Sequence, residues 1–287
     1  TYDAGYCMNS SNWELACDCH VHIYESGYDL APTATFQPQP APSSAYRRAQ
    51  QALGFGRVVI VQPTGYGFDN RCTLSAVAEI GPGARGIAVI KPDTTEDELQ
   101  RLHAAGIRGV RYMMLPGGVL PWEGLEKTAA KIAPLGWNIN LQLDGCILPA
   151  YEERLLRLPC RLVIDHIGKF LSPIDHHAPA FASLRRVLDG GHCWIKLSAP
   201  YEISRRGPPG YEDIAPLVQE LAAQYPQRGL WASNWPHPNV VPAPSDRALF
   251  DWALALFHDE TTKRLILVDN PAEVYGFEST PGSKSSS

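Results

Sequence analysis

Short apolar runs recur along the chain at 15–20, 57–62, 86–90, 109–114, 138–143, 161–166, 193–198 and 229–233. They are rich in Val, Ile and Leu, as strands covered on both faces should be. Between them lie amphipathic stretches at 44–53, 71–80, 95–105, 123–135, 149–158, 180–188, 211–223 and 246–257. The third of these shows how the sequence marks an end: Thr95 stands as a cap before Glu96, Asp97 and Glu98, acids that suit the positive end of a helix dipole. Gly106 follows Ala104 and Ala105 as a stop. Eight strand–helix units in series predict an α/β fold with one parallel (β/α)8 barrel over 15–278. An open doubly wound sheet is disfavoured, because no G-x-G-x-x-G follows the first strand. No internal repeat or linker suggests a second domain.

Composition narrows the partners. The 287 residues carry 25 basic and 30 acidic side chains, a formal charge of −5, with no Lys/Arg block. Nucleic acid and acidic membrane surfaces both call for a concentrated basic patch and are excluded as partners. No apolar run approaches the roughly 18–20 residues of a membrane span. Seven cysteines, at 7, 17, 19, 72, 146, 160 and 193, are odd in number and scattered, so free thiols in a reducing cytoplasm are expected. Cys17 and Cys19 have no second pair to complete a zinc knuckle. Residues 1–14 show no basic start or apolar segment of a signal peptide, and Met8 is a candidate start. They are read, with the polar 279–287, as tails outside the fold.

A (β/α)8 barrel builds its site at the C-terminal ends of its strands. The first strand ends in Asp18-Cys19-His20-Val21-His22, and period two along a strand sends both imidazoles to one side. The sixth ends in Asp165-His166-Ile167-Gly168-Lys169, and the eighth in Ser233-Asn234-Trp235-Pro236-His237. The second leads to Thr64, Tyr66 and Asn70, the fourth carries Arg111, and the fifth offers Gln142. The seventh runs through Lys196 and Ser198 towards Tyr201, Arg205 and Arg206. Each group alone is compatible with a packed or solvated residue; their convergence on one rim marks a site. Cys17 and Cys193 read as core thiols, and His176, His177 and His258 as surface groups.

The fragments "DCHVH", "VIVQPTGYGFDNR", "GIRGVRYMM", "LVIDHIGKF", "WIKLSAPYEIS", "GLWASNWPHPN" and "DNPAEVYGF" together resemble the amidohydrolase superfamily. Within it they resemble the branch of 2-pyrone-4,6-dicarboxylate lactonase and the aldarolactone isomerases. The resemblance implies that His20, His22, His166 and position 234 surround a reacting lactone carbonyl. It also implies that Arg111 and one of Arg205 or Arg206 bind substrate carboxylates, with Lys169 beside them. Thr64, Tyr66 and Asn70 would belong to a loop over the substrate, with Gln142, Tyr201 and His237 completing the set.

Many members hold zinc, and one Zn2+ on His20, His22 and His166 is the alternative here. The expectation is no metal, since Met113/Met114 and Gln142 stand where binuclear members place ligands and an amide stands at 234. The implied reaction is hydrolysis of a small anionic lactone by base-activated water. Isomerisation of an aldarolactone, zinc-dependent hydrolysis of a sulfonated lactone, and binding without turnover are the alternatives. The loop 114–120 contains no Arg or Lys, which argues against a substrate with two flat carboxylates. Asn234 departs from the family's acid. It is read as an inactivating Asp→Asn substitution, as a natural residue working with another base such as His237, or as the mark of a protein that only binds.

Overall fold

The computed structural model describes residues 13–278. Eight strands form one sheet in chain order: β1 (Cys17–Val21), β2 (Arg57–Val61), β3 (Ala84–Ala88), β4 (Ile107–Met113), β5 (Asn138–Gln142), β6 (Arg161–Ile164), β7 (Cys193–Lys196) and β8 (Gly229–Leu230). Every ladder is parallel. The segment after β8 returns to β1: Cys19 N donates to Trp231 O at 3.0 Å, Asn234 N to His20 O at 3.0 Å, and His22 N to Trp235 O at 2.8 Å. These bonds close the sheet into the expected barrel. Around it lie α1 (Ser43–Leu53), α2 (Arg71–Ile80), α3 (Glu96–Ala104), α4 (Leu125–Ile132), α5 (Leu148–Leu156), α6 (Pro179–Asp189), α7 (Ala215–Gln224) and α8 (Asp246–Leu256). Ile139, Leu141, Leu162, Ile164, Ile195 and Leu197 face outward into the helix layer, where most of the core lies.

A second, smaller cluster lies inside the barrel. Cys17, Cys19, Val59, Val61, Ile87, Val163 and Leu230 meet Val274, Tyr275 and Phe277 from the last helical segment there. Arginines near the strand starts tie this segment down: Arg57 donates to Glu278 O, Arg85 to Tyr275 O, and Arg161 to Glu273 O. The N-terminal mouth is therefore filled with apolar side chains. Polar residues of the interior collect at the other end.

β1 is irregular in a way that matters for the site. Asp18 pairs with Val58 and Val21 with Ile60, so three steps on β1 oppose two on β2. The extra residue is a β-bulge, and it shifts the phase of the side chains. Cys17 and Cys19 point into the barrel, and beyond the bulge His20 does too, with His22 following it. Asp18 turns the other way. It accepts from Ser233 N at 2.9 Å, Ser233 Oγ at 2.6 Å and Tyr46 OH at 3.2 Å, joining β1 to the end of β8 and to α1.

Other departures from expectation are local. The eighth strand stops at Leu230, because the chain must reach Asn234 at φ 63. The predicted 211–223 helix begins at Ala215, since Tyr211 lies at φ 46. The predicted 123–135 helix breaks into α4 flanked by 3-10 turns, the second containing Pro134. Trp13 packs edge-on against Phe250, so the folded body includes a residue assigned by sequence to the tail. Residues 1–12 and 279–287 lie outside the described residues, Cys7 among them. The cysteines at 17, 19, 72, 146, 160 and 193 are free thiols, as expected. Among the described residues no helix is long and apolar enough to cross a membrane.

Candidate active site

The C-terminal mouth holds a cavity of about 100 Å³, open to solvent. His22, Tyr24, Thr64, Arg111, Met113, Gln142, His166, Lys169, Glu202 and Asn234 line it, with Phe36, Pro238 and Asn239 at the rim. Its walls thus come from β4, β5 and the segments after β1, β2, β6, β7 and β8.

The hydrogen bonds of the H-x-H pair have a fixed direction. His22 Nδ1 lies 2.8 Å from Val61 O, which can only accept, so Nδ1 carries the hydrogen. Burial, then the charge of Arg111, holds the His22 pKa well below its ordinary value, so the ring is neutral and Nε2 is bare. That atom lies 3.1 Å from His20 Nε2, which must donate. His20 is likewise held neutral by burial and by Lys196, so its Nδ1 is bare. Lys196 Nζ donates to it at 2.9 Å. The chain ends in groups that agree: an ammonium that can only donate and a carbonyl that can only accept.

Lys196 is wholly buried, and its cation has two further partners. Asn140 Oδ1 lies at 2.6 Å and Asp165 Oδ1 at 3.1 Å. Asn140 Nδ2 in turn donates to Asp165 Oδ2 at 3.0 Å. Burial alone would raise the Asp165 pKa, but the Lys196 ammonium holds it well below the usual carboxylate range.

His166 stands apart from this locked chain. Its Nδ1 meets Ser198 Oγ at 2.9 Å, and a hydroxyl can donate or accept. His166 can therefore present either a bare nitrogen or an N–H to the cavity with little rearrangement. Burial lowers its pKa. His166, Ile167 and Lys169 have φ of 51, 60 and 46, a left-handed run that non-glycine residues rarely adopt. Strain of this kind is held only where surrounding contacts enforce it, and here it turns His166 and Lys169 towards the cavity.

Asn234 ends a second directional chain. The Asp246 carboxylate accepts from His237 Nε2 at 2.8 Å, leaving His237 Nδ1 to accept from Tyr201 OH at 2.8 Å. The Tyr201 oxygen then accepts from Asn234 Nδ2 at 3.0 Å. The same amide nitrogen lies 3.3 Å from Glu202 Oε1, a second acceptor. Both neighbours call for a donor at 234, which an amide supplies and a carboxylate does not. Glu202 Oε2 pairs with Lys169 Nζ at 2.6 Å. Burial pushes the Glu202 carboxyl up, but His166 and Lys169 outweigh it and the pKa is lowered.

Arg111 is anchored to Gln62 O at 2.8 Å and Gln142 Oε1 at 3.2 Å, and its buried Nε has no protein partner. Of the residues singled out by sequence, His22, Thr64, Arg111, Gln142, His166, Lys169 and Asn234 reach the cavity wall. His20, Tyr201 and His237 stand behind it and act on wall residues through the bonds above. Tyr66 and Asn70 serve the loop: Tyr66 OH meets the Glu25 backbone, and Asn70 makes paired bonds to Val89 N and O. Arg205 and Arg206 are exposed on the following turn and do not line the cavity. The expectation that one of them faces the substrate has no geometric support, because Asp213 and Ser204 hold their backbone amides in that turn.

Glu202, Asn140, Tyr24 and the charge role of Lys196 escaped sequence reading. Asn140 and Lys196 carry a signal: Asn140 lies in the same phase as Asn138 and Gln142 along β5, and Lys196 is the one charged residue of the otherwise uncharged β7. Glu202 had none, since a lone acid after a strand is usually solvated.

His20, Asp165 and His166 offer metal-ligating atoms within 4.8 Å of one another. The donor set fits Zn2+ poorly, however, because Lys196 already contacts two of the three. Met113 and Gln142 line the ends of β4 and β5, and β8 contributes an amide.

A family model described as Amidohydrolase matches residues 17–277. The D-galactarolactone isomerase of Agrobacterium fabrum (strain C58) is 36% identical over 91% of this chain and 90% of its own length. The 2-pyrone-4,6-dicarboxylate hydrolase of Comamonas testosteroni is 32% identical over 91% and 90%. A ligand-free crystal structure of an Agrobacterium tumefaciens protein superposes with a TM-score of 0.88 at 36% identity, covering 92% of this chain and 97% of that one.

Proposed function

The chain belongs to the amidohydrolase family, and on that footing we propose that it isomerises a small, hydroxylated, carboxylated lactone by moving the acyl group between two of the substrate's own hydroxyls. The observation that carries this reading is the amide at 234, held as a donor by Tyr201 and Glu202. An amide takes no proton from water at neutral pH, so the site lacks the β8 base that hydrolysis would use. An internal hydroxyl needs less activation than water, since a well-placed intramolecular nucleophile has an effective molarity of about 10⁵–10⁸ M.

The residues then divide the work. Arg111, whose guanidinium lines the cavity, pairs with the substrate carboxylate and fixes the ring in register. Asn234 Oδ1 accepts from the attacking hydroxyl and aims it. His166 takes that proton as the new C–O bond forms and returns it to the ring oxygen as the old C–O bond breaks. His166 can change tautomer because Ser198 can reverse its own bond. Nothing is consumed: one ester bond forms, one breaks, and one proton moves between oxygens. On this reading Asn234, which stands where the resemblance expects an acid, is the site's own working residue and not an inactivating substitution.

Hydrolysis of a related lactone is the second reading, favoured by Glu202, a carboxylate in the cavity wall that could orient water. Replacing Asn234 separates the two. Asn234→Asp would bring a carboxylate against Glu202 and oblige Tyr201 to reverse its bond. Interconversion of five- and six-membered carboxylated lactones, followed by ¹³C NMR, should fall ~100-fold in that variant. If Asn234→Asp instead gains hydrolysis at neutral pH, position 234 is an emptied acid position and the isomerase reading is wrong.

A further inference from the structure

Among the described residues Lys196 is the one ammonium with no solvent exposure, and the mechanism above assigns it no contact with substrate. An isolated charge in such a place is very costly, so its partners show what it is for. They are His20 Nδ1 at 2.9 Å, Asn140 Oδ1 at 2.6 Å and Asp165 Oδ1 at 3.1 Å. Two of these belong to the same three residues whose donor atoms cluster tightly enough to hold a metal ion. The ammonium has three N–H groups and three acceptors of different chemistry, an imidazole nitrogen, an amide oxygen and a carboxylate oxygen.

We propose that Lys196 is the resident cation of this cluster, a covalently attached ammonium that takes the place of a divalent ion and keeps zinc out. Charge and hydrogen-bond direction both support it. With neutral imidazoles, Lys196 and Asp165 sum to zero; a dication added there would face an ammonium at contact distance, with Arg111 also near. The ammonium also does structurally what an ion under an H-x-H pair would do. It holds His20 Nδ1, and so fixes His20 Nε2–H towards His22 Nε2 and His22 Nδ1–H towards Val61 O. Lys196 is in this sense a positioning residue: it sets which nitrogen of each imidazole bears the hydrogen. The proposal does not depend on which lactone is the substrate, and it holds equally for hydrolysis or isomerisation.

The test reads metal and tautomers, and only secondarily turnover. Wild-type protein, stripped with chelator and titrated with Zn2+ by calorimetry, should take up no stoichiometric zinc. Its ¹⁵N spectrum should show His20 protonated at Nε2 and His22 at Nδ1. In Lys196→Ala the freed donors should bind one Zn2+ per chain, on the order of 100-fold tighter than wild type. Adding Asp165→Asn to that variant should abolish the gain. One tightly bound zinc in the wild type, or the opposite tautomers there, would overturn the proposal without reference to any variant. So would a folded Lys196→Ala chain, verified by circular dichroism, that binds zinc no better than wild type.

Discussion

Asn234 occupies φ 63, in the left-handed region where Asn and Asp are tolerated better than other side chains. That backbone position is what turns its amide towards Tyr201 and Glu202. The sequence made the residue conspicuous, because it stands where the family resemblance expects an acid, but it could not say what surrounds the amide. Its partners come from a distant stretch, Tyr201 and Glu202 after β7, and His237 behind Tyr201 is held by Asp246 at the start of α8. Spacing along the chain carries no trace of the direction of a hydrogen bond. Two substitutions test the roles of single residues. Tyr201→Phe leaves Asn234 only Glu202 as a partner and should lower kcat about 10-fold with KM nearly unchanged, the effect of roughly one lost buried hydrogen bond. Arg111→Met removes the carboxylate anchor and should raise KM by ~10- to 100-fold with a smaller change in kcat. Steady-state kinetics on the same lactone checks both; equal losses in the two parameters for both variants would point to damage to the fold.

At the scale of elements, the strands were legible and their ends were not. Runs such as Val58-Val59-Ile60-Val61 can hardly be anything but a buried strand, and all eight runs form strands in the expected order. The bulge in β1 leaves no mark in the pattern, yet it allows Cys19 and His20, adjacent in sequence, both to face the interior. Asp18 is the hinge of that arrangement. Burial pushes its pKa from 3.8 up to about 6, against the donors from Ser233. A carboxyl whose folded value lies above its unfolded one stabilises the fold most when protonated. Its contribution is fully present below 3.8 and is lost as pH rises through about 6. The shift corresponds to about 3 kcal/mol. Asp18→Asn mimics the protonated group and removes that slope. Denaturant unfolding should show the stability of wild type relative to the variant falling by up to about 3 kcal/mol between pH 4 and pH 7. Parallel profiles would mean that Asp18 is ionised throughout.

For the whole molecule, one end of the barrel is closed and the other is chemical. The last helical segment and the arginines at the strand starts fill the N-terminal mouth. The residues that line the cavity therefore lie at the C-terminal ends of the strands, the general location that the barrel fold predicts. The rim residues could be read from sequence because they sit where strands stop. Lys196 and Asp165 stand out singly in the sequence, but their union with Asn140 in one layer beneath the rim does not, since residues on three strands share no address until the barrel closes. Together these layers form a cavity wall with a guanidinium, an imidazole whose bond to Ser198 can reverse and an amide after β8, above a lysine buried against His20, Asn140 and Asp165. The central claim is that acyl transfer here passes between substrate hydroxyls. It is tested most directly by giving chelator-treated protein a hydroxylated carboxylated lactone in H₂¹⁸O and following products by ¹³C NMR and mass spectrometry. The account predicts a rearranged lactone free of ¹⁸O formed ahead of any open-chain acid; an open-chain acid carrying one ¹⁸O as the first product would contradict it.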